Sequence, residues 1–136
     1  MATPGQVAEA FRSVLLANNY RQSTEYEAFD TRNMHRQFYL TGPRMADTTH
    51  PGKYWHDSLW ELTVMIGFVP RSAVSDPDRG RFEVVDWLDE LLEAWGVDTT
   101  ISADEFAVTT ADPAWDEEHE FWAVEIAAQY RNRRSY

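Results

Sequence analysis

The chain opens with an apolar stripe at helical spacing. Val7, Ala10, Phe11, Val14 and Leu15 fall on one side of a wheel. Thr3-Pro4-Gly5-Gln6 supplies its start: Thr as cap, Pro at the first helical position, and Gln three residues after the cap. Asn18-Asn19 is the expected stop, and residues 20–34 read as irregular. The period then changes to two. Residues 36–40 alternate as a short strand until Thr41-Gly42-Pro43 breaks it. From Leu59 to Val69, Trp60, Leu62, Val64, Ile66 and Phe68 share one face, and Glu61, Thr63, Met65 and Gly67 the other. Pro70 ends this strand. Between the two strands, residues 41–54 read as a long loop rich in Thr and bounded by Pro43 and Pro51-Gly52.

A second helix is expected from Phe82 to Trp95, with Gly96 as its C-terminal stop. Val84, Val85, Trp87, Leu88, Leu91, Leu92 and Trp95 occupy half of its wheel. Glu83, Asp86, Asp89, Glu90 and Glu93 occupy an arc of the other half. Phe82 falls on the polar side, which places it before the helix proper. Two further strands are expected, a short one over 105–109 and a long one over 121–131. Asp112-Pro113 reads as a turn between them. The predicted fold is a single α+β domain over residues 1–136, in the order α-β-β-α-β-β. Two helices pack on one face of a largely antiparallel four-stranded sheet.

Charge adds a strong asymmetry. Residues 1–81 hold nine acids and nine bases. From Phe82 to Tyr130 there are fourteen acids and no Lys or Arg. Arg131, Arg133 and Arg134 follow, for a net charge of −11. Glu83, Asp86, Glu90 and Glu93 are neighbours on a helix surface, where each like-charge pair costs about 0.2–0.5 kcal/mol. Such a stripe either is simply solvated or meets cations, from salt or from another subunit. Arg131, Arg133 and Arg134 are candidate cations for a head-to-tail contact between copies, and a plain basic tail is the alternative. A salt-rich habitat is a further reading of the acidity.

Candidate chemistry is sparse. No phosphate loop, nucleophile elbow or HExxH occurs. His56-Asp57 could be a base with its orienter, but His35, His50, His56 and His119 read equally as ordinary histidines. Asp112, Asp116, Glu117, Glu118 and Glu120 lack the spacing of a Ca²⁺ loop. No enzymatic role, metal or cofactor is expected. There is no cysteine, no apolar run of transmembrane length and no signal-peptide pattern, so a cell interior or a particle assembled there is expected. Trp60, Trp87, Trp95 and Trp122 read as core. Trp55 and Trp115, in loop-like stretches, are candidate interface anchors, and His50 and Lys53 belong to the same candidate docking loop.

The order of elements and the style of the last strand, Phe121-Trp122-Ala123-Val124-Glu125-Ile126-Ala127-Ala128-Gln129-Tyr130-Arg131, resemble the tail terminator proteins of long-tailed bacteriophages. The likeness covers nearly the full chain and rests on no diagnostic motif. It implies a structural virion protein that forms a hexameric ring, caps the tail tube, ends its polymerisation and meets the head connector. DNA would pass through the lumen without specific binding, which an acidic lining favours by repelling phosphates. Location at the head–tail junction follows from the same resemblance. Other neck, head-completion or tail-tube subunits remain alternatives, as does a small α+β ligand-binding domain or enzyme.

Overall fold

The capping box at the start of the chain is formed in full. In the computed structural model, which describes residues 3–23, 34–48, 55–70, 77–102, 105–118 and 120–135, helix α1 runs Pro4–Ala17. The Gln6 N–H donates to Thr3 Oγ1 at 3.1 Å, and the Thr3 N–H donates to Gln6 Oε1 at 2.8 Å. At the other end Asn18 Nδ2 donates to the Val14 carbonyl at 2.7 Å. Asn19 takes a left-handed φ of 67°, which Asn tolerates better than most residues. The elements that follow are β1 (Arg21–Gln22), β2 (Gln37–Thr48), β3 (Trp55–Phe68), α2 (Pro77–Val97), α3 (Thr99–Ser102), β4 (Glu105–Asp116) and β5 (Phe121–Ser135).

The sheet is five-stranded and mixed, in the order β1-β2-β3-β5-β4. β1 lies parallel to β2, and the other pairings are antiparallel. This corrects the expected four-stranded, largely antiparallel sheet with two helices in the order α-β-β-α-β-β. The described residues contain three helices and five strands. The two unforeseen elements are short, two residues for β1 and four for α3, so no hydrophobic period can mark them. α3 is set by a side chain: Asp98 Oδ1 accepts the Thr100 and Ile101 N–H groups at 2.9 and 3.0 Å.

Proline misled the boundaries. The expected 41–54 loop is strand through Thr48, and residues 49–54 lie outside the described residues. β2 passes Gly42-Pro43 by a bulge, its pairing stepping from Thr41↔Thr63 to Arg44↔Glu61. Gly42 has φ 102°, and a Cβ there would sit 2.9 Å from the Glu61 carbonyl oxygen. Likewise β4 runs straight through Asp112-Pro113 to Asp116, so that pair makes no turn. An edge strand tolerates proline because one side of its backbone lacks a ladder. β4 is such an edge in the described sheet.

α2 begins at Pro77, so Phe82 lies inside the helix and not before it. Gly96 lies in its last turn. One core joins the helices to one face of the sheet. Val7, Phe11 and Leu15 of α1 pack with Val84, Leu88, Leu91 and Trp95 of α2, with Leu62, Val64, Ile66 and Phe68 of β3, and with Val124, Ile126, Ala128 and Tyr130 of β5. Each such side chain fully removed from water contributes roughly 1.5–3 kcal/mol. Phe11 and Trp95 stack with ring centroids 4.1 Å apart at 11°. Trp95 Nε1 also donates to the Phe11 carbonyl at 3.2 Å, so one contact ties α1 to the end of α2. A small second cluster, Met34 and Phe121 with Tyr39 and Ala123, lies apart from this core.

Candidate functional site

α2 has two unlike faces. Gly80, Val84, Leu88, Leu91 and Trp95 are buried, while Asp78, Phe82, Val85, Asp86, Asp89, Glu90 and Glu93 are exposed. The helical period makes Asp78, Arg79, Phe82, Val85, Asp86, Asp89 and Glu93 the pole that points away from the core, net acidic with one Arg in its first turn. Among the described residues, ion pairs join Arg12 to Glu9, Arg44 to Glu61 and Arg131 to Asp57. None of them engages Asp78, Asp86, Asp89, Glu90 or Glu93. Asp78 in the first turn is favoured by the helix dipole, whereas Glu93 lies toward the unfavourable end, where no base stands.

The flank of this face closes a hollow of about 440 Å³, lined by Glu83, Asp86, Trp87 and Glu90. Trp87 is half-buried there. It stacks on Phe68 (5.6 Å, 23°) and meets His35 edge-on at 4.8 Å. His35 Nδ1 accepts the Val69 N–H at 3.1 Å, which fixes the neutral ring as the bonded form. Burial lowers the His35 pKa, and Arg36 and Arg21 lower it further. Beside it, the Arg36 guanidinium lies 5.1 Å from the centroid of the Tyr20 ring. Burial pushes the Tyr20 phenol up to about 12, with Arg36 opposing and Glu90 adding to the rise. Tyr20, His35 and Arg36 form a cationic, aromatic corner next to the acidic helix. Periodicity could not reveal it, because two separate segments build it.

The arginine cluster is at the far end of the sheet. β4 begins at Glu105, opposite Arg131. β3 and β5 run on, pairing Trp55–Ser58 with Asn132–Ser135. This projects β5 by four residues, about 13 Å. The register sets Arg133 opposite Asp57 and Arg134 opposite His56. Phe68, which Trp87 covers, lies thirteen positions along β3 from Trp55, or about 44 Å. Phe82 is more than one turn before Trp87, on the side away from Trp95. Within one chain the Phe82 end of the pole is therefore far from the Arg tip, whereas the Glu93 end leads back toward it through Trp95, Phe11, Phe106 and Tyr130.

Arg131 itself has an internal role: its Nη1 donates to Asp57 Oδ2 at 3.1 Å, with the Asp57 side chain only 15% exposed. The same bond competes with any orienting role of Asp57 toward His56. Of the candidate docking residues, His50 and Lys53 lie outside the described residues, as does His119. Trp55 pairs with Ser135 at the strand end. Trp115 belongs to β4, not to a loop; it is 37% exposed and rests edge-on against Trp122 at 5.6 Å. The acids after Asp112 are spread along β4 and its turn, and among the described residues no cluster of metal-ligating side chains forms. No helix of the structure is long and apolar enough to cross a membrane. The exposed Phe82, which the sequence pattern set outside the helix, is the residue of this surface that the wheel had already marked as misplaced.

No protein-family model and no curated protein matches this chain.

Proposed function

We propose that this chain is a ring-forming structural protein of the phage tail-terminator type. It acts by matching surfaces between copies, caps a tail tube at the head–tail junction and carries out no chemistry. One observation carries the reading: α2 turns a net acidic pole outward, the β5 tip carries Arg133 and Arg134, and the Phe82 end of the pole lies far from that tip in the same chain. A surface and a complement of opposite charge placed apart in this way suit a heterologous contact, which closes into a ring when the rotation per copy allows. The arm of about 13 Å is comparable with the rise from Glu83 to Glu93, about 15 Å at 1.5 Å per residue. The net charge of −11 serves the same role by keeping DNA from adhering as it passes.

The test is assembly. Co-expression with the neighbouring tail proteins, followed by electron microscopy and native mass measurement, should find this chain as a six-membered ring at the tube end next to the head. A chain that remains monomeric in the presence of tubes and never localises to that junction would defeat the proposal.

A further inference from the structure

The sheet edges are built against strand addition. Among the described residues β1 pairs only with Gln37 and Phe38; beyond them β2 carries two irregularities and Pro43, and the edge strand β4 carries an irregularity near Thr109, Pro113 and the acids Asp112 and Asp116. Bulges, prolines and charges of this kind keep edges from pairing with other chains. A contact between copies must then run through side chains. The outer pole of α2 offers a candidate with an apolar centre. Phe82 is 63% exposed and Val85, one turn on, is 46% exposed. Single exposed apolar residues are ordinary. These two stand together, with Asp78, Arg79, Asp86 and Asp89 around them. An apolar anchor inside a charged rim is the anatomy of a protein interface.

We infer that Phe82 is the anchor of the contact between copies, and that its occupant is the Arg133–Arg134 tip of β5 from a second copy. This rests on the ring reading above. Charge complementarity selects the occupant: the pole sets four carboxylates, Asp78, Asp86, Asp89 and Glu93, against one cation, Arg79, and none of the four has an ion pair among the described residues. The tip brings cations of the type that both stacks on aromatic faces and bonds carboxylates in a planar fork. The fold already uses that stacking once, with Arg36 over Tyr20 at 5.1 Å. Lys would supply the charge without the fork.

The test replaces Phe82 by a photo-reactive benzoylphenylalanine in the full chain, mixes light and heavy isotope copies, and assembles them on co-expressed tail tubes. Irradiation should join light to heavy copies, with the link mapped to residues 131–135 of β5. Phe82→Ala should weaken association of copies by about tenfold, the scale of a central interface residue, and leave the unfolding midpoint in place. Links between copies that map to another segment would overturn this contact and leave the ring reading standing. Copies that neither associate nor cross-link would overturn both.

Discussion

Arg131→Glu should destabilise the fold itself, before any effect on assembly. Arg131 joins β5 to β3 through Asp57 at 3.1 Å, with 33% of the Arg131 side chain and 15% of the Asp57 side chain exposed. A hydrogen bond to a charged group contributes about 1.5–3 kcal/mol. Partial exposure and solvent screening put this one near the lower end, at about 1–2 kcal/mol. Glu at 131 also faces the Asp57 carboxylate. At 4 Å and an effective dielectric of about 20 the unrelaxed repulsion is about 4 kcal/mol, and rotation into solvent leaves about 1–2 of it. The total is about 2–4 kcal/mol. An unfolding entropy of about 2.1 cal/mol/K per residue gives about 0.29 kcal/mol/K for this chain, so the midpoint should fall by about 7–14 °C. Arg131→Gln, which removes only the charge, should cost about half of that. Thermal scans and urea titrations followed by tryptophan fluorescence measure these differences, with unchanged m-values expected. If Arg131→Glu melts within about 2 °C of the parent, the pair is not holding the strands and the reasoning is wrong.

Trp95→Phe keeps most of the stack on Phe11 but loses the Nε1 donation to the Phe11 carbonyl, which keeps its helical N–H partner; a loss of about 0.5–1.5 kcal/mol in urea unfolding is expected. Gly67→Ala should cost about 1–3 kcal/mol, because its Cβ would meet Met34 Sδ at 2.9 Å and the Met34 carbonyl oxygen at 3.0 Å. Adding Met34→Ala should not restore stability, since the backbone oxygen stays. The His35 pKa is lowered on folding, so between that value and the ordinary 6.5 the unfolded chain binds more protons. Stability should then fall as pH drops from 6.5 toward the folded value. His35→Gln should flatten that part of a stability-versus-pH curve measured by urea unfolding, and an unchanged slope would refute the assignment.

What was legible in the sequence had a period or a cap. Thr3 and Gln6 announced α1, and the alternation from Trp60 to Phe68 gave the core face of β3. The arc from Glu83 to Glu93 gave the polar side of α2. What stayed hidden was decided elsewhere in the fold. Pro43 and Pro113 read as breakers, yet bulging or an edge position lets a strand carry them. β1 is held by backbone bonds from the Arg21 N–H to the Arg36 carbonyl and from the Ser23 N–H to the Phe38 carbonyl, and a two-residue pairing leaves no period to read. Arg131 read as a free cation because its partner, Asp57, stands 74 residues earlier. Phe82 is the reverse case. Its mismatch with the wheel was real and the inference drawn from it was wrong: the helix includes it, and the exposed ring is a property of the surface.

Sheet order turns the charge split of the chain into geometry. The acid-only stretch from Phe82 to Tyr130 forms most of α2, α3, β4 and most of β5. β4 and β5 lie toward one edge of the sheet, whereas α2 packs on its face and brings Glu90 near Tyr20 and Arg36 beside β1. The Arg tip of β5 adds a charge difference along the strands. Charges of like sign grouped in this way raise the energy of an isolated copy. Under the proposed ring, a contact between the Arg tip of one copy and the acidic pole of the next would relieve that repulsion, and blunted strand edges would keep the approach from ending in open-ended sheet growth.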